Sequence, residues 1–332
     1  MISKKIQELL RKQHYRVVGN HSAVQICRWT KRSLRGEEVC YKEKFYGINS
    51  HRCCQMTPSV MWCQNKCVHC WRAIEHTIGK KIQGKIDSPS DIIDGCIREQ
   101  RKLLEGFKIN PKTKHKTKSK ANMKKWEEAQ EPSQFAISLS GEPTIYPKIG
   151  ELILELRKRG KTSFLVTNGL NPKVLKKIEK KNQLPTQLYI SVNTPEEELY
   201  QKFHRSSEKD AWKKLNLSLE IMSKLRGKTR TIFRMNLVKD LNMNFEQIPK
   251  YVQLIKKANP LFIEIKGFMS VGFARQRLGY ERMPTDKEME LFVKELVKNL
   301  GKDFEVLDSH ERSRAFVVGR KSEKKMLKIK GV

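Results

Sequence analysis

SVMWCQNKCVHCWRA (residues 59–73) places three cysteines, Cys63, Cys67 and Cys70, at the spacing C-x3-C-x2-C directly after a short apolar run. Thiols this close in sequence cannot pair among themselves without strain, because a disulfide demands a specific Cβ separation and dihedral. They are also one ligand short of an all-cysteine metal site. Four cysteines saturate a cubane [4Fe–4S] cluster; three leave one iron open to a small molecule. The competing reading is a structural zinc site completed by His69 or a distant residue. Zinc ribbons and fingers pair C-x2-C knuckles, and no second pair follows at a suitable distance.

The chain has 332 residues, enough for one large domain or two smaller ones with a substantial core. No run of about 18 apolar residues occurs, so no membrane span is expected. The amino terminus, MISKKIQELLRKQHYR, is charged and amphipathic and lacks an apolar signal core. A cytoplasmic location follows as the expectation. Disulfides are rare there, which makes the eight cysteines metal ligands or reactive thiols rather than staples. Net charge is +32, from 68 Lys+Arg against 36 Asp+Glu. A charged thermostable surface would explain part of that excess. The clustering of the basic residues favours a polyanionic partner. Residues 108–125 carry eight lysines and no acid, and RKSEKKMLKIK (320–330) forms a second basic run. Such runs give nucleic-acid affinity without sequence specificity.

A helix is expected over 3–14 with Ser3 as N-cap, and residues 20–57 read as irregular. From residue 58 strands and amphipathic helices alternate: SVMW 59–62, a helix near 88–106, QFAISLS 134–140, a helix 146–159, TSFLVTNG 162–169 and a helix 172–180. QLYISVN 187–193, helices near 196–203 and 208–225, RTIFRMNLV 230–238, a helix 246–258, LFIEIKGF 261–268 and a helix 285–299 continue the rhythm. FEVLD 304–308 and RAFVVG 314–319 close it as a strand pair. This predicts an α/β fold with a parallel sheet, an open, partial (β/α)6 TIM-like barrel. The expected organisation is an extension over 1–57, the barrel over 58–270 with a basic flexible insertion at 108–131, and a carboxyl-terminal extension over 271–332. Unusual polar residues gather just past strand ends: Ser140, Gly141 and Glu142; Thr167, Asn168 and Gly169; Asn193; Asn236; Lys266. Ligands bind at that end of parallel strands.

The cysteine loop after a first strand, SLSGEPT 138–144, TNG 167–169 and SVN 191–193 together resemble the radical S-adenosylmethionine (radical SAM) enzymes over most of residues 56–270. That resemblance implies a [4Fe–4S] cluster on Cys63, Cys67 and Cys70, whose open iron chelates SAM. It implies Gly141 and Glu142 at SAM's ammonium. Thr167, Asn168, Ser191, Asn193 and Lys266 are implied at the remaining strand ends that hold the cofactor.

A second set of cysteines, Cys27, Cys40 and Cys53, precedes the barrel at spacings that by themselves imply no geometry. With GEPTIYP, VTNGLNP, SVNTP and EIKGFMSVGFARQRLGYERMP, the arrangement resembles the tRNA 4-demethylwyosine synthases over nearly the whole chain. That family resemblance makes Cys27, Cys40 and Cys53 ligands of a second [4Fe–4S] cluster. Cys54 stays open as an alternative to Cys53, which the family's spacing favours. It implies pyruvate as a substrate and Lys42 as the residue beside it, with Lys44 as the confounder and covalency left open. It further implies tRNA-Phe carrying 1-methylguanosine as partner, and a carbon–carbon lyase reaction in wybutosine biosynthesis. Some members carry an amino-terminal flavodoxin-like domain. None precedes Cys27, so the expected form is the stand-alone archaeal type, a monomer served by a separate electron-donor protein. Arg275, Arg277 and Arg282, with Phe273 and Tyr280, are expected to grip the anticodon loop. Two rivals remain: a radical SAM enzyme acting on a peptide or small molecule, and a non-catalytic zinc-stabilised tRNA-binding module.

Overall fold

In the computed structural model, which describes residues 2–108 and 121–331, the chain forms two compact units. The first comprises residues up to Val60, Lys81–Leu165 and the stretch from Ile329 on; the second comprises Met61–Lys80 and Val166–Lys328.

The first unit opens with helix α1 (Lys4–Lys12), capped by Ser3, whose Oγ accepts from the Ile6 amide. Strands β1 (Arg16–Val18) and β2 (Ser22–Gln25) follow as an antiparallel pair. Helices α2 (Arg28–Leu34) and α3 (Tyr41–Tyr46) lead to β3 (Cys53–Thr57), which is antiparallel to β2. Residues 20–57 are therefore ordered rather than irregular. The strands are too short to show alternation, and each helix is headed by a cysteine instead of a Ser, Thr, Asp or Asn cap.

The first parallel strand is thus CCQMT, not SVMW. Val60, Met61 and Trp62 are almost fully buried, but Pro58 interrupts the chain and Met61 turns it with φ 69°. Their apolarity serves the core, not a sheet ladder. Helix α4 (Pro89–Leu104) starts at the Ser88 cap with proline in its first turn. Helix α5 (Met123–Ala129) makes part of the expected loop 108–131 helical, while residues 109–120 of it lie outside the described residues. Strand β4 (Gln134–Ile137), helix α6 (Ile149–Lys158) and strand β5 (Thr162–Thr167) complete the unit, with β5 running into the second. Strands β3, β4 and β5 are parallel in that order. Every residue of β4 is buried, as a parallel strand covered on both faces requires.

The second unit contains α7 (Pro172–Lys180), β6 (Gln187–Ser191), α8 (Glu197–His204), α9 (Ala211–Leu225), β7 (Arg230–Leu237), α10 (Ile248–Ala258) and β8 (Phe262–Gly267). Strands β6, β7 and β8 are parallel. A short helix α11 (Ala274–Leu278), α12 (Asp286–Leu300) and the antiparallel strands β9 (Phe304–His310) and β10 (Ala315–Arg320) follow. Strand β10 lies against β8. Each unit therefore holds three parallel strands linked through helices, the α/β pattern read from the sequence. Among the described residues no helix is long and apolar enough to cross a membrane.

Candidate active site: two cysteine triplets, each beside a buried cation

In the second unit, the loop bearing Cys63, Cys67 and Cys70 is fastened along both sides. The Cys63 amide donates to the Gly79 carbonyl (2.9 Å). The amides of Lys66 and Val68, flanking Cys67, donate to the carbonyls of His204 (2.9 Å) and Phe203 (3.0 Å) at the end of α8. Burial, then the nearby Cys70 and Cys63, pushes the Cys67 thiol well above its ordinary range. Thiols so placed need positive charge to become thiolates. Arg72, 3% exposed, supplies it. Its guanidinium donates to Thr77 Oγ1 (2.6 Å) and the Asn65 carbonyl (2.8 Å). Burial opposes that charge, but Cys70, Cys63 and Cys67 outweigh it and hold Arg72 above its ordinary value. The donor set fits an anionic group held by thiolates, such as an iron–sulfur cluster.

His69, the candidate zinc ligand, instead stacks on Phe203 with ring centres 4.8 Å apart. Burial and then the charges of Arg234 and Arg277 push its pKa down to about 3.

The first unit assembles the other triplet through Ser50 and Glu43. Thr30 Oγ1 donates to the Ser50 carbonyl (2.9 Å), and the Cys40 amide donates to Ser50 Oγ (3.2 Å). The Ser50 amide (2.7 Å) and hydroxyl (2.5 Å) both donate to Glu43 Oε2. This network joins the segments carrying Cys27, Cys40 and Cys53. Cys27 heads α2, where its Sγ accepts from the Thr30 amide (3.3 Å), and Cys40 heads α3. Burial, then Cys27, pushes the Cys53 thiol up; Lys42 pulls the other way and Cys40 adds to the rise. Cys54 points elsewhere: it is fully buried, with its thiol in hydrogen-bond contact with the free thiol of Cys96 in α4.

Lys42 is buried and its Nζ lies 5.2 Å from the centre of the Phe164 ring, whereas Lys44 is exposed. Among the described residues, Lys42 is the one buried lysine and Arg72 the one buried arginine. Each stands within electrostatic reach of a different triplet. All eight cysteines are free of disulfides. Among the described residues, no three His, Cys, Asp or Glu side chains are grouped tightly enough for a single metal ion.

The strand-end residues divide between the units. In the first, Gly141 has φ 72°, a conformation suited to glycine. Glu142 is buried, with Oε1 accepting from the Thr144 amide (3.0 Å) and hydroxyl (2.5 Å). Ser59 Oγ donates to the Glu142 carbonyl (2.8 Å), tying this turn to the chain entering the cysteine loop. In the second, Thr167 Oγ1 accepts from the Gly169 amide (3.1 Å). Asn168 Nδ2 donates to Gln64 Oε1 (3.1 Å) and lies 3.9 Å from Cys63 Sγ. Ser191 ends β6, half-buried. Asn193 Oδ1 accepts from the Asn236 amide (3.0 Å), so that side of its amide braces the ends of β6 and β7. Lys266, in β8, is half-buried opposite Ala315.

The arginine-rich segment after β8 splits its roles. Arg275 stacks its guanidinium 5.1 Å from the centre of the Tyr280 ring, and Tyr280 is 59% exposed. Arg277 turns inward, contrary to expectation, and donates to the carbonyls of Val68 (3.1 Å), Cys70 and Arg72 (3.3 Å). Arg282 is taken up by the Lys239 carbonyl (3.4 Å) and Asp240 (3.5 Å). Gly272 is required where it stands: a Cβ there would lie 2.4 Å from the Trp71 carbonyl oxygen. Arg72, the bracing role of Arg277 and His204 are not expected from the sequence. Only Arg72 carried a signal, its place two residues beyond Cys70.

Residues 58–255 match the model of the radical SAM superfamily, and residues 257–320 match one for wyosine base formation. The chain is a radical SAM enzyme, with the α/β fold class expected of it, and it uses SAM and a [4Fe–4S] cluster. The particular family follows from its relatives. An S-adenosyl-L-methionine-dependent tRNA 4-demethylwyosine synthase of Pyrococcus horikoshii is 44% identical over 317 residues, covering 96% of this chain and 89% of the relative. That of Methanocaldococcus jannaschii is 36% identical and covers 98% of each. The mouse enzyme is 38% identical over 98% of this chain, which spans 43% of it. A solved structure of TYW1 with a lysine–pyruvate adduct bound matches at TM-score 0.83 and 34% identity, covering 99% of this chain and 98% of that one. A crystal structure of archaeal TYW1 matches at TM-score 0.77 and 32% identity, covering 99% and 100%. The chain belongs to the tRNA 4-demethylwyosine synthases, radical SAM enzymes of wyosine-type tRNA modification.

Proposed function

We propose that this chain condenses the 1-methylguanosine beside the anticodon of tRNA-Phe with the C2–C3 unit of pyruvate, giving 4-demethylwyosine. One observation carries the reading: two separate cysteine triplets each have their own buried cation.

Cys63, Cys67 and Cys70 hold the cluster that binds SAM, with Arg72 as countercharge. Gly141, Glu142, Thr167, Asn168, Ser191, Asn193 and Lys266 bind and orient SAM. When bound, SAM and its cluster supply a primary carbon radical by one-electron cleavage of the sulfonium. Cys27, Cys40 and Cys53 would hold a second [4Fe–4S] cluster, which when bound would supply an open iron to the carboxylate of pyruvate.

Lys42 is the residue that meets pyruvate. Once its ammonium has given up a proton, the neutral amine adds to the C2 carbonyl, and the former carbonyl oxygen leaves the adduct as water to give an imine. A solved relative carries a lysine–pyruvate adduct, and burial separates Lys42 from the exposed Lys44. Residues 1–57 act as the extension carrying the second cluster, 58–270 as the radical SAM portion, and 271–332 as the tRNA-facing extension. Arg275 and Tyr280 offer an exposed plane on which a splayed anticodon base can stack. The enzyme works as a cytoplasmic monomer with a separate electron-carrier protein.

The test is to incubate holoenzyme with labelled pyruvate and borohydride, then map the label by mass spectrometry. Label on the Lys42 peptide, absent from Lys42→Arg, is the expected result. Label on another lysine, or none, overturns the assignment.

A further inference from the structure

The residues that grip the SAM-binding loop converge on one histidine outside every motif. His204 closes α8, and its Nδ1 lies 3.0 Å from Cys67 Sγ, 137 residues away in sequence. The contact is built rather than incidental. The amides on either side of Cys67 bond to the carbonyls of Phe203 and His204, and the Ser207 amide donates to the Gln64 carbonyl (2.8 Å). The strip 203–207 therefore lines the cysteine loop. His204 is 3% exposed, and its ring is held against Tyr200, with centres 4.4 Å apart. Tyr200 in turn accepts from Asn65 Nδ2 (3.3 Å) on the same loop.

A cysteine that ligates iron is a thiolate and has no proton to give. The proton in this contact must therefore sit on Nδ1, and the histidine is the donor. That assignment makes Nε2 the bare nitrogen, and Nε2 is buried with no hydrogen-bond partner among the described residues. Hydrogen bonds to the sulfurs are one of the terms that set a cluster's reduction potential, because they withdraw charge from the thiolate and favour the more negative, reduced state. Cys63 receives longer bonds, from the Asn65 amide (3.4 Å) and Asn168 Nδ2 (3.9 Å), and lies beside the Arg72 guanidinium.

We propose that His204 is a positioning residue that donates Nδ1–H to the sulfur of Cys67, fixing that ligand and raising the reduction potential of its cluster. The inference rests on Cys63, Cys67 and Cys70 being cluster ligands.

The test is a redox titration of full-length holoenzyme followed by EPR, using the signal that shifts on adding SAM to mark this cluster. His204→Phe keeps a flat ring and loses the donor, so its midpoint should become more negative at unchanged iron content. His204→Asn places an amide near the position of Nδ1 and should return the midpoint towards wild type. An unchanged midpoint in an iron-replete His204→Phe protein overturns the proposal. Should that variant fail to hold iron, wild-type enzyme with 15N-labelled histidine decides. Pulsed EPR should show a histidine nitrogen coupled to the SAM-responsive cluster, and absence of that coupling overturns the proposal. Wild-type protein lacking any SAM-responsive cluster would instead refute the ligand reading itself.

Discussion

Lys42 directs its ammonium towards the face of Phe164, with Nζ 5.2 Å from the ring centre. A buried cation in that position gains roughly 1–2 kcal/mol from the ring, which holds the side chain inward beside Cys53. Two residues along α3, about 200° around the helix, Lys44 faces solvent. Position on one helical turn thus separates two lysines that the sequence alone could not.

Replacing Lys42 by alanine should lower tRNA product formation by at least about 100-fold, the scale of a lost or misplaced reacting group. SAM cleavage and iron content should persist. Lys44→Ala should stay within about twofold of wild type, since it removes one exposed charge. Steady-state product assays on both variants check the pair.

Cys53 and Cys54 are separated the same way. Cys53→Ala should lose about half of the iron bound by reconstituted protein, because one of two proposed clusters loses a ligand. Cys54→Ala should keep its iron and lose about 1 kcal/mol of stability, the scale for trimming a buried side chain by one heavy atom. Iron and sulfide analysis beside thermal unfolding reads both.

Arg277 in α11 and Tyr280 just beyond it should fail differently. Arg277→Ala removes bonds to three backbone carbonyls of the cysteine loop, and charged hydrogen bonds contribute about 1.5–3 kcal/mol each. Faster cluster loss is expected, with little change in tRNA affinity at intact cluster. Tyr280→Ala should weaken tRNA binding by about 1–3 kcal/mol, one lost stacking platform, and leave the cluster unchanged. Filter binding and iron retention distinguish them.

The start of α12 carries a pH-dependent lock. Lys239, and then the Thr285 amide, pull the Glu288 carboxyl down to about 2. Because the folded value lies below the unfolded one, the stabilisation is present above the ordinary carboxyl range and disappears as pH falls through about 2. Glu288→Gln keeps the capping geometry and deletes the charge. Its melting temperature should lie slightly below wild type at pH 7, by less than about 1 kcal/mol equivalent at this half-exposed site. The difference should close towards pH 2 in a thermal scan series.

The parallel strands after β3 and most helices were legible because burial on both faces writes largely apolar runs such as QFAI and FLVT. The C-x3-C-x2-C loop was legible because its three cysteines lie within eight residues of one another. SVMW misled because an apolar run reports burial, and burial does not require a strand. The short α2 and α3 were hidden by cysteine caps. Arg277 looked like an RNA contact, since an arginine's sequence neighbourhood does not tell which carbonyls its guanidinium will reach. His204 was invisible, as its partner Cys67 is close only in the fold.

One anaerobic reaction decides whether this chain builds the third ring on tRNA. Reconstituted protein, dithionite, SAM, pyruvate and tRNA-Phe bearing 1-methylguanosine are combined, and the digested tRNA is analysed by mass spectrometry. The expected products are 4-demethylwyosine together with 5′-deoxyadenosine, the tRNA product depending on pyruvate and lost with Cys27→Ala. Formation of 5′-deoxyadenosine while 1-methylguanosine stays unchanged would contradict the proposed condensation.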